Sequence, residues 1–303
     1  MKHASEAESL APFSFPFPNF PSMIPFIAAI KLLRPINLIL GALSVLITAV
    51  LMPAWPPWSA IGWTIATVML YNAAANALND YFDYPIDKIN RPARPLASGV
   101  LPRNMGWVLA LVLFIGGTFT AFQLPTTAQI VAIAIALPLM VLYTPLFKGL
   151  PLVGNLVVAV ILGLAFLFAG AAFGHLALMW TPFGLAAGFT LLREAVKDIE
   201  DVAGDTGGGV GTLPVRWGVP PAVKTAQILT LLLMFGCLLP YILQVYGPTY
   251  LVAVIIGVEV PLLYTFVHLY NHPNPAGAGW VAKVLKVDIF AGLLAIYLSK
   301  FDV

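Results

Sequence analysis

Charged side chains are scarce in this chain. Asp, Glu, Lys and Arg make up 9% of its 303 residues, against roughly 25% in an ordinary soluble domain. Hydrophobic residues make up 60%, and a water-soluble fold of this composition would expose far too much apolar surface. The composition excludes a soluble globular protein and predicts an all-α, polytopic membrane bundle.

Cysteine is almost absent too. Cys237 is the single cysteine and lies within an apolar run, so neither a disulfide framework nor a paired-cysteine metal site can form. The first apolar stretch follows a proline-rich, aromatic segment rather than a short basic head, which argues against a cleaved signal peptide. We predict a flexible amino-terminal tail over residues 1–23 and a single transmembrane domain over 24–303. Nothing indicates a nucleic-acid or protein partner.

Long apolar runs are abundant, and a spanning helix needs about 20 mostly apolar residues. The runs predict about nine transmembrane helices, near 30–52, 59–79, 105–123, 127–144, 152–173, 178–200, 221–243, 249–270 and 284–300. On this map every Lys and Arg except Lys300 falls on the same side of the membrane. The positive-inside rule then places the amino terminus and the even-numbered loops in the cytoplasm and the carboxyl terminus outside the cell membrane.

Eight of the thirteen carboxylates occupy two short stretches, 79–87 and 193–205, each at the inside end of a predicted helix. In the first, Asn79 and Asp83 are four residues apart and share a helix face. Pro85 is expected to end or bend the helix, so that Asp87 comes from the turn beyond it.

In the second stretch Glu194, Asp198, Asp201 and Asp205 follow helical spacing and share a face. Glu200 is expected to point to solvent instead. The glycine-rich segment 204–211 is expected to form a mobile loop over this cluster.

Carboxylates gathered at membrane depth require a neutralising cation. Oxygen ligands without nearby His or Cys favour a hard ion such as Mg²⁺, which completes its shell with water and phosphate oxygens. Six basic residues share the membrane face of the carboxylates. If metal ions held a diphosphate from one side, these residues could bind its oxygens from the other: Lys88, Arg91, Arg94, Lys148, Arg193 and Lys197. Taken singly, a cation of this kind is more often only a marker of membrane topology.

With these motifs the chain resembles the UbiA family of membrane prenyltransferases from about residue 30 onward. Asn79, Asp83 and Asp87 match the family's Asn-x-x-x-Asp-x-x-x-Asp motif, and Asp201 and Asp205 match its Asp-x-x-x-Asp motif. The resemblance implies nine helices around a central cavity, Mg²⁺ dependence and an isoprenyl diphosphate donor. The stretches 79–99, 150–158 and 193–201 look most like the archaeal-type digeranylgeranylglyceryl phosphate synthases of the family. That branch implies a lipid-ether product made from geranylgeranyl diphosphate and geranylgeranylglyceryl phosphate.

The predicted site follows from these motifs. Asp83, Asp87, Asp201 and Asp205 are assigned to catalysis. The metal ligands are predicted to be Asn79, Asp83, Asp87, Asp198, Asp201 and Asp205. Diphosphate binding is assigned to Arg91, Arg94, Lys148 and Lys197. Asn72 and Tyr143 are predicted to line the cavity for the prenyl chain and acceptor, although ordinary interhelical hydrogen bonds explain them about as well.

Two other functions stay open. Related branches prenylate aromatic rings in quinone biosynthesis and also carry the Asp-x-x-x-Asp spacing. A cation-coupled transporter also places carboxylates in helices, but it typically holds them near the bilayer midplane, whereas both clusters here lie at one face of the membrane.

Two further carboxylates lie outside the clusters. Glu259 lies in the middle of a predicted helix and follows no motif. Asp288 is expected to pair with Lys283 or Lys286.

Overall fold

The structure is a computed structural model that describes residues 23–302. The predicted tail, up to residue 22, lies outside the described residues. Within residues 23–302 all regular secondary structure is helical, with no strand. The helices are α1 (Met23–Leu33), α2 (Pro35–Leu51), α3 (Trp58–Phe82), α4 (Tyr84–Asn90), α5 (Arg103–Ala121), α6 (Thr126–Phe147), α7 (Val153–Ala172), α8 (Leu176–Glu200), α9 (Val202–Gly207), α10 (Leu213–Trp217), α11 (Val219–Ile242), α12 (Pro248–Asn271) and α13 (Pro275–Leu298).

Every predicted span corresponds to a helix or a bent pair of helices. Six helices (α5, α6, α7, α8, α11 and α12) are long and apolar enough to cross a membrane, and the bent pair α1 and α2 makes a seventh candidate. The predicted count of nine is therefore not confirmed by length and composition. The two remaining predicted spans are the long helices α3 and α13, whose polar residues lower their hydropathy. The last predicted span was also misplaced, because α13 begins at Pro275 rather than near residue 284.

The first span is bent at Arg34. This residue adopts a left-handed conformation with φ 56°, which is uncommon for a residue other than glycine. Pro35 follows at the first position of α2. Proline is favoured there because the first N–H groups of a helix have no acceptor within the helix, so nothing is lost when one is missing. Together they set α1 at 45° to α2.

Helix α8 connects two halves of the hydrophobic core. One half is formed mainly by α1 to α7 and includes Met179 near the start of α8. The other is formed by α11, α12 and α13 with the later turns of α8, including Leu192 and Ile199. The second acidic stretch lies at the end of α8, so this packing fixes its position relative to both halves.

Candidate functional site

One cavity of about 680 Å³ opens within the bundle. Its volume falls within the range of small-molecule sites. All twelve predicted site residues line it: Asn72, Asn79, Asp83, Asp87, Arg91, Arg94, Tyr143, Lys148, Lys197, Asp198, Asp201 and Asp205. The structure thus brings together residues from α3, α4, α6, α8 and α9 and the segments that follow them. Their individual roles stay a prediction.

The first acidic stretch is divided between two helices. α3 ends at Phe82, Asp83 stands at the junction, and α4 begins at Tyr84 with Pro85 in its first turn. Asp87 therefore lies on a short helix, and the prediction of a turn at this position was wrong. In a continuous helix Pro85 would have no N–H to donate to the carbonyl of Tyr81, and its ring would clash with that carbonyl, which accounts for the break before it.

The second stretch is divided in the same way. α8 ends at Glu200, Asp201 forms the junction, and Asp205 lies on α9. Glu194, Asp198, Asp201 and Asp205 all line the cavity, as their spacing predicted, although two helices rather than one carry them. The predicted loop over 204–211 is shorter than expected, because residues 204–207 belong to α9. Glu200 lines the cavity rather than pointing to solvent.

Cations bridge these carboxylates. Arg94 Nη1 donates to Asp87 Oδ2 at 2.6 Å and to Asp80 Oδ1 at 3.0 Å. Lys148 Nζ donates to Asp83 Oδ1 at 2.5 Å. Arg91 Nη2 donates to Asp201 Oδ2 at 2.7 Å. Three of the four cations predicted to bind the diphosphate therefore pair with predicted metal ligands.

Neutral hydrogen-bond donors orient the remaining oxygen ligands. Thr144 Oγ1 donates to Asn79 Oδ1 at 2.6 Å, and Asn155 Nδ2 donates to Asp198 Oδ2 at 2.8 Å. Each contact occupies one lone pair of the oxygen atom and leaves others for a ligand.

Thr212 Oγ1 donates to Asp205 Oδ2 at 3.2 Å. Burial raises the pKa of Asp205 to about 6, against the lowering effects of Lys148 and of this hydrogen bond. Asp205 is 5% exposed, so its charge depends on a nearby cation to remain stable.

Sequence reasoning assigned no site role to Asp80, Arg34 or Glu194. Asp80 is buried and accepts hydrogen bonds from Arg34 and Arg94. Arg193 and Lys197 both pair with Glu194, at 2.9 and 3.3 Å. The charge of Asp80 was visible within the first stretch, but its partner Arg34 lies 46 residues away and shares no motif with it.

The expected pairing of Asp288 with Lys283 or Lys286 was wrong. Asp288 is 3% exposed, and within residues 23–302 neither of its carboxyl oxygens has a hydrogen-bond partner. Asp288 follows the lysines by five and two residues, which places it on the opposite side of α13. The lysines are exposed and line the cavity, whereas Asp288 is buried and does not line it.

A helical bundle whose cavity combines carboxylates, cations and apolar walls defines a membrane-embedded site for an amphipathic anion. A model of the UbiA prenyltransferase family matches residues 38–286. The chain therefore belongs to the UbiA prenyltransferase family and is a multi-pass membrane protein, as its motifs predicted.

Named relatives refine this position within the family. The chain is 38% identical over 242 residues to the digeranylgeranylglyceryl phosphate synthase of Haloquadratum walsbyi, covering 78% of this chain and 81% of that one. A solved structure from work on digeranylgeranylglyceryl phosphate synthase in membranes has a TM-score of 0.72 and 29% identity, covering 92% of this chain and 99% of that one. The predicted likeness to this branch is confirmed.

A UbiA homologue from Archaeoglobus fulgidus, solved with GPP and Mg²⁺, shares the fold. Its TM-score is 0.63 at 15% identity, covering 89% of this chain and 99% of that one.

Proposed function

We propose that this protein is a Mg²⁺-dependent prenyltransferase that moves a geranylgeranyl group from its diphosphate to geranylgeranylglyceryl phosphate, which forms an ether lipid. The observation that carries the proposal is the cavity of about 680 Å³, which joins both acidic motifs and their cations to apolar walls. The names of the relatives at 31–38% identity support the choice of acceptor.

The residues of the cavity fit a Mg²⁺ site. Their donors are carboxylate and amide oxygens, which this ion prefers, and it commonly takes only one or two carboxylates together with water and phosphate oxygens. Within residues 23–302 no three Asp, Glu, His or Cys side chains are gathered closely enough to enclose an ion by themselves. An ion that a diphosphate also binds does not need three protein carboxylates around it, because phosphate oxygens complete its shell. We assign it to Asn79, Asp83, Asp87, Asp198, Asp201 and Asp205.

Bound Mg²⁺ would stabilise negative charge on the departing diphosphate. The chain's own cations act on the same group. Arg91, Arg94 and Lys148 are positioned to exchange a carboxylate for a phosphate oxygen, and guanidinium groups bind phosphate with two parallel hydrogen bonds. These contacts favour breaking the bond between the diphosphate oxygen and the allylic carbon. The acceptor hydroxyl then forms a bond to that carbon and loses its proton.

Apolar side chains protect the reacting carbon from water. The apolar residues that line the cavity include Val68, Ala136, Ile161 and Phe168. Walls of this kind hold an isoprenyl chain through the hydrophobic effect and exclude water that would compete with the acceptor.

The test uses purified protein with Mg²⁺ and labelled geranylgeranyl diphosphate, offered geranylgeranylglyceryl phosphate and 4-hydroxybenzoate in separate reactions. Product with the glyceryl phosphate alone is the expected result. Product with the aromatic acid alone would move the protein to the quinone branch. A failure to transfer to either acceptor, together with Mg²⁺-driven ion flux in liposomes, would favour a transporter.

We also propose nine membrane crossings, with α3 and α13 added to the seven candidates and the amino terminus in the cytoplasm. The polar residues of α3 and α13 that lower their hydropathy include several that line the cavity, where polar groups avoid lipid. Replacing Cys237 with Ala and placing single cysteines at Ser98 or Gln244 tests the orientation. A membrane-impermeant thiol reagent should label intact cells only at position 244.

A further inference from the structure

Two lysines of the cavity differ from its other cations. Eight basic side chains line the cavity. Six pair with a carboxylate: Arg34, Arg91, Arg94, Lys148, Arg193 and Lys197. Lys283 and Lys286 also line it, yet neither forms an ion pair or a side-chain hydrogen bond within the described part of the chain. Their positive charge is therefore available to a ligand.

The lysines belong to one continuous face of α13. The cavity-lining residues of this helix are Gly279, Ala282, Lys283, Lys286, Ile289, Gly292, Leu293 and Ile296. Their spacing of three or four residues defines a single helical face. Along this face two cations are followed by an apolar surface that extends toward the end of the helix. The pattern matches a ligand with an anionic headgroup and a long hydrocarbon tail.

A carboxylate beside the start of this face, that of Glu200, leaves the lysines unpaired. α13 packs against α8, and Gly279 faces Glu200, whose Oε1 lies 3.1 Å from the position that a Cβ would occupy. Glu200 forms no ion pair with Lys283 or Lys286 among residues 23–302. The contact at Gly279 shows that α13 closely approaches the end of the second acidic motif. The lysines thus lie on the helix that passes beside the predicted donor site.

We propose that Lys283 and Lys286 bind the phosphate monoester of the acceptor lipid and that the following apolar face of α13 holds its isoprenyl chain. This inference rests on the proposed function. The donor diphosphate has Arg91, Arg94 and Lys148 on the other helices, and all of them are already paired with carboxylates. The acceptor adds a second phosphate to the same cavity, and two unpaired ammonium groups supply the charge that this phosphate requires.

The binding site also determines specificity. An acceptor without the phosphate cannot use either ammonium group, whereas an aromatic acceptor presents a different shape and a single carboxylate. We therefore expect the wild-type protein to prefer geranylgeranylglyceryl phosphate over geranylgeranylglycerol, the same lipid without its phosphate. The preference should depend on the two lysines.

The experiment compares the wild type with the double variant Lys283→Gln/Lys286→Gln in the purified full-length chain. KM is measured for geranylgeranyl diphosphate, for geranylgeranylglyceryl phosphate and for geranylgeranylglycerol. Lys224→Gln is the matched control, since Lys224 is an exposed lysine of α11 that does not line the cavity. The variant Lys283→Arg/Lys286→Arg tests whether charge alone restores binding.

We expect the double Gln variant to raise KM for the phosphate acceptor by about tenfold or more, because two charge-assisted hydrogen bonds are lost. Its KM for the diphosphate and its KM for geranylgeranylglycerol should change little, and the Arg variant should retain most of the affinity. An unchanged KM for the phosphate acceptor would overturn the inference and leave the lysines as topology markers. A raised KM for the diphosphate alone would also overturn it and assign them to the donor.

The two proposals fail in different ways. If the wild type transfers nothing to the glyceryl phosphate but prenylates another acceptor, the proposed function is wrong and the inference falls with it. If the wild type makes the ether lipid and the double variant does so with the same KM, only the role of the lysines is wrong.

Discussion

Arg91 Nη2 lies 2.7 Å from Asp201 Oδ2, and this ion pair joins the two acidic motifs directly. The residues are 110 positions apart in the chain. Asn90 adds a second link, since its Nδ2 donates to the backbone carbonyl of Asp201 at 3.2 Å. Both halves of the proposed metal site are therefore held together by the chain itself.

Removing the Arg91 side chain should weaken donor binding more than it weakens the fold. We expect Arg91→Ala to raise KM for geranylgeranyl diphosphate by about tenfold, since a charge-assisted contact to phosphate is lost. The ion pair is partly exposed, at 33% and 22% for the two side chains, so its loss should change stability by less than about 1 kcal/mol. Steady-state kinetics and a thermal unfolding curve measure the two effects. A large drop in the unfolding temperature with unchanged KM would contradict this prediction.

The carboxylates predicted to bind metal should be essential. We expect Asp83→Asn and Asp201→Asn each to reduce transfer by at least about a hundredfold, because the electrostatic stabilisation of the leaving group is lost. Both variants should stay folded, since asparagine preserves the shape of the side chain, but Asp83→Asn also leaves Lys148 without its counter-charge and should lower the unfolding temperature more than Asp201→Asn does. Glu259→Gln is the control, as this carboxyl lies in α12 and outside the cavity lining. Substantial turnover in both Asp variants would remove their assigned roles.

Gly204 should be required for the contact between α4 and α9. A Cβ at this position would lie 2.0 Å from Asn90 Nδ2, far inside van der Waals contact. We expect Gly204→Ala to displace Asn90 and to cost roughly 1–3 kcal/mol of stability, as overpacking does. Transfer should fall because Asn90 no longer reaches Asp201. Gly184→Ala is the matched control, since a Cβ there meets nothing within 4 Å, and equal effects of both substitutions would refute the prediction.

Mg²⁺ affinity should weaken in acid. Burial raises the pKa of Asp205 to about 6, so the metal-free protein is protonated there below this pH. Metal binding needs the ionised carboxylate, and the apparent Mg²⁺ affinity should therefore fall by roughly tenfold for each pH unit below about 6. Mg²⁺ titrations of activity at pH 5 and pH 7.5 measure the change. High Mg²⁺ should restore the rate at low pH, and an affinity independent of pH would contradict this account.

Helical positions were predictable because the bilayer imposes a simple length and polarity rule on each span. α7 and α11 differ from their predicted bounds by at most two residues at either end. α13 was harder to place because its early turns carry Lys283, Lys286 and several glycines. These residues reduce hydropathy, although Gly277 and Gly279 are buried and the two lysines line the cavity.

The motif residues were predictable as a group, since helical spacing and charge sign identify a shared face. The ion-pair partner of each motif residue was not predictable. The pairing of Asp80 with both Arg34 and Arg94 depends on how α1, α2 and α3 pack, and that information is absent from local spacing. The breaks at Asp83 and Asp201 likewise divide each motif between two helices, a division that the four-residue spacing does not reveal.

The cavity joins a charged end to apolar walls within the thickness of the bundle. If both substrates and the ether product are lipids, as proposed, only the released diphosphate and the proton leave through bulk water. The concentration that governs turnover is then the mole fraction of each lipid in the surrounding leaflet. Diluting the membrane with inert phospholipid at constant total substrate should slow the enzyme, whereas diluting the whole suspension with buffer should leave the rate per molecule nearly unchanged.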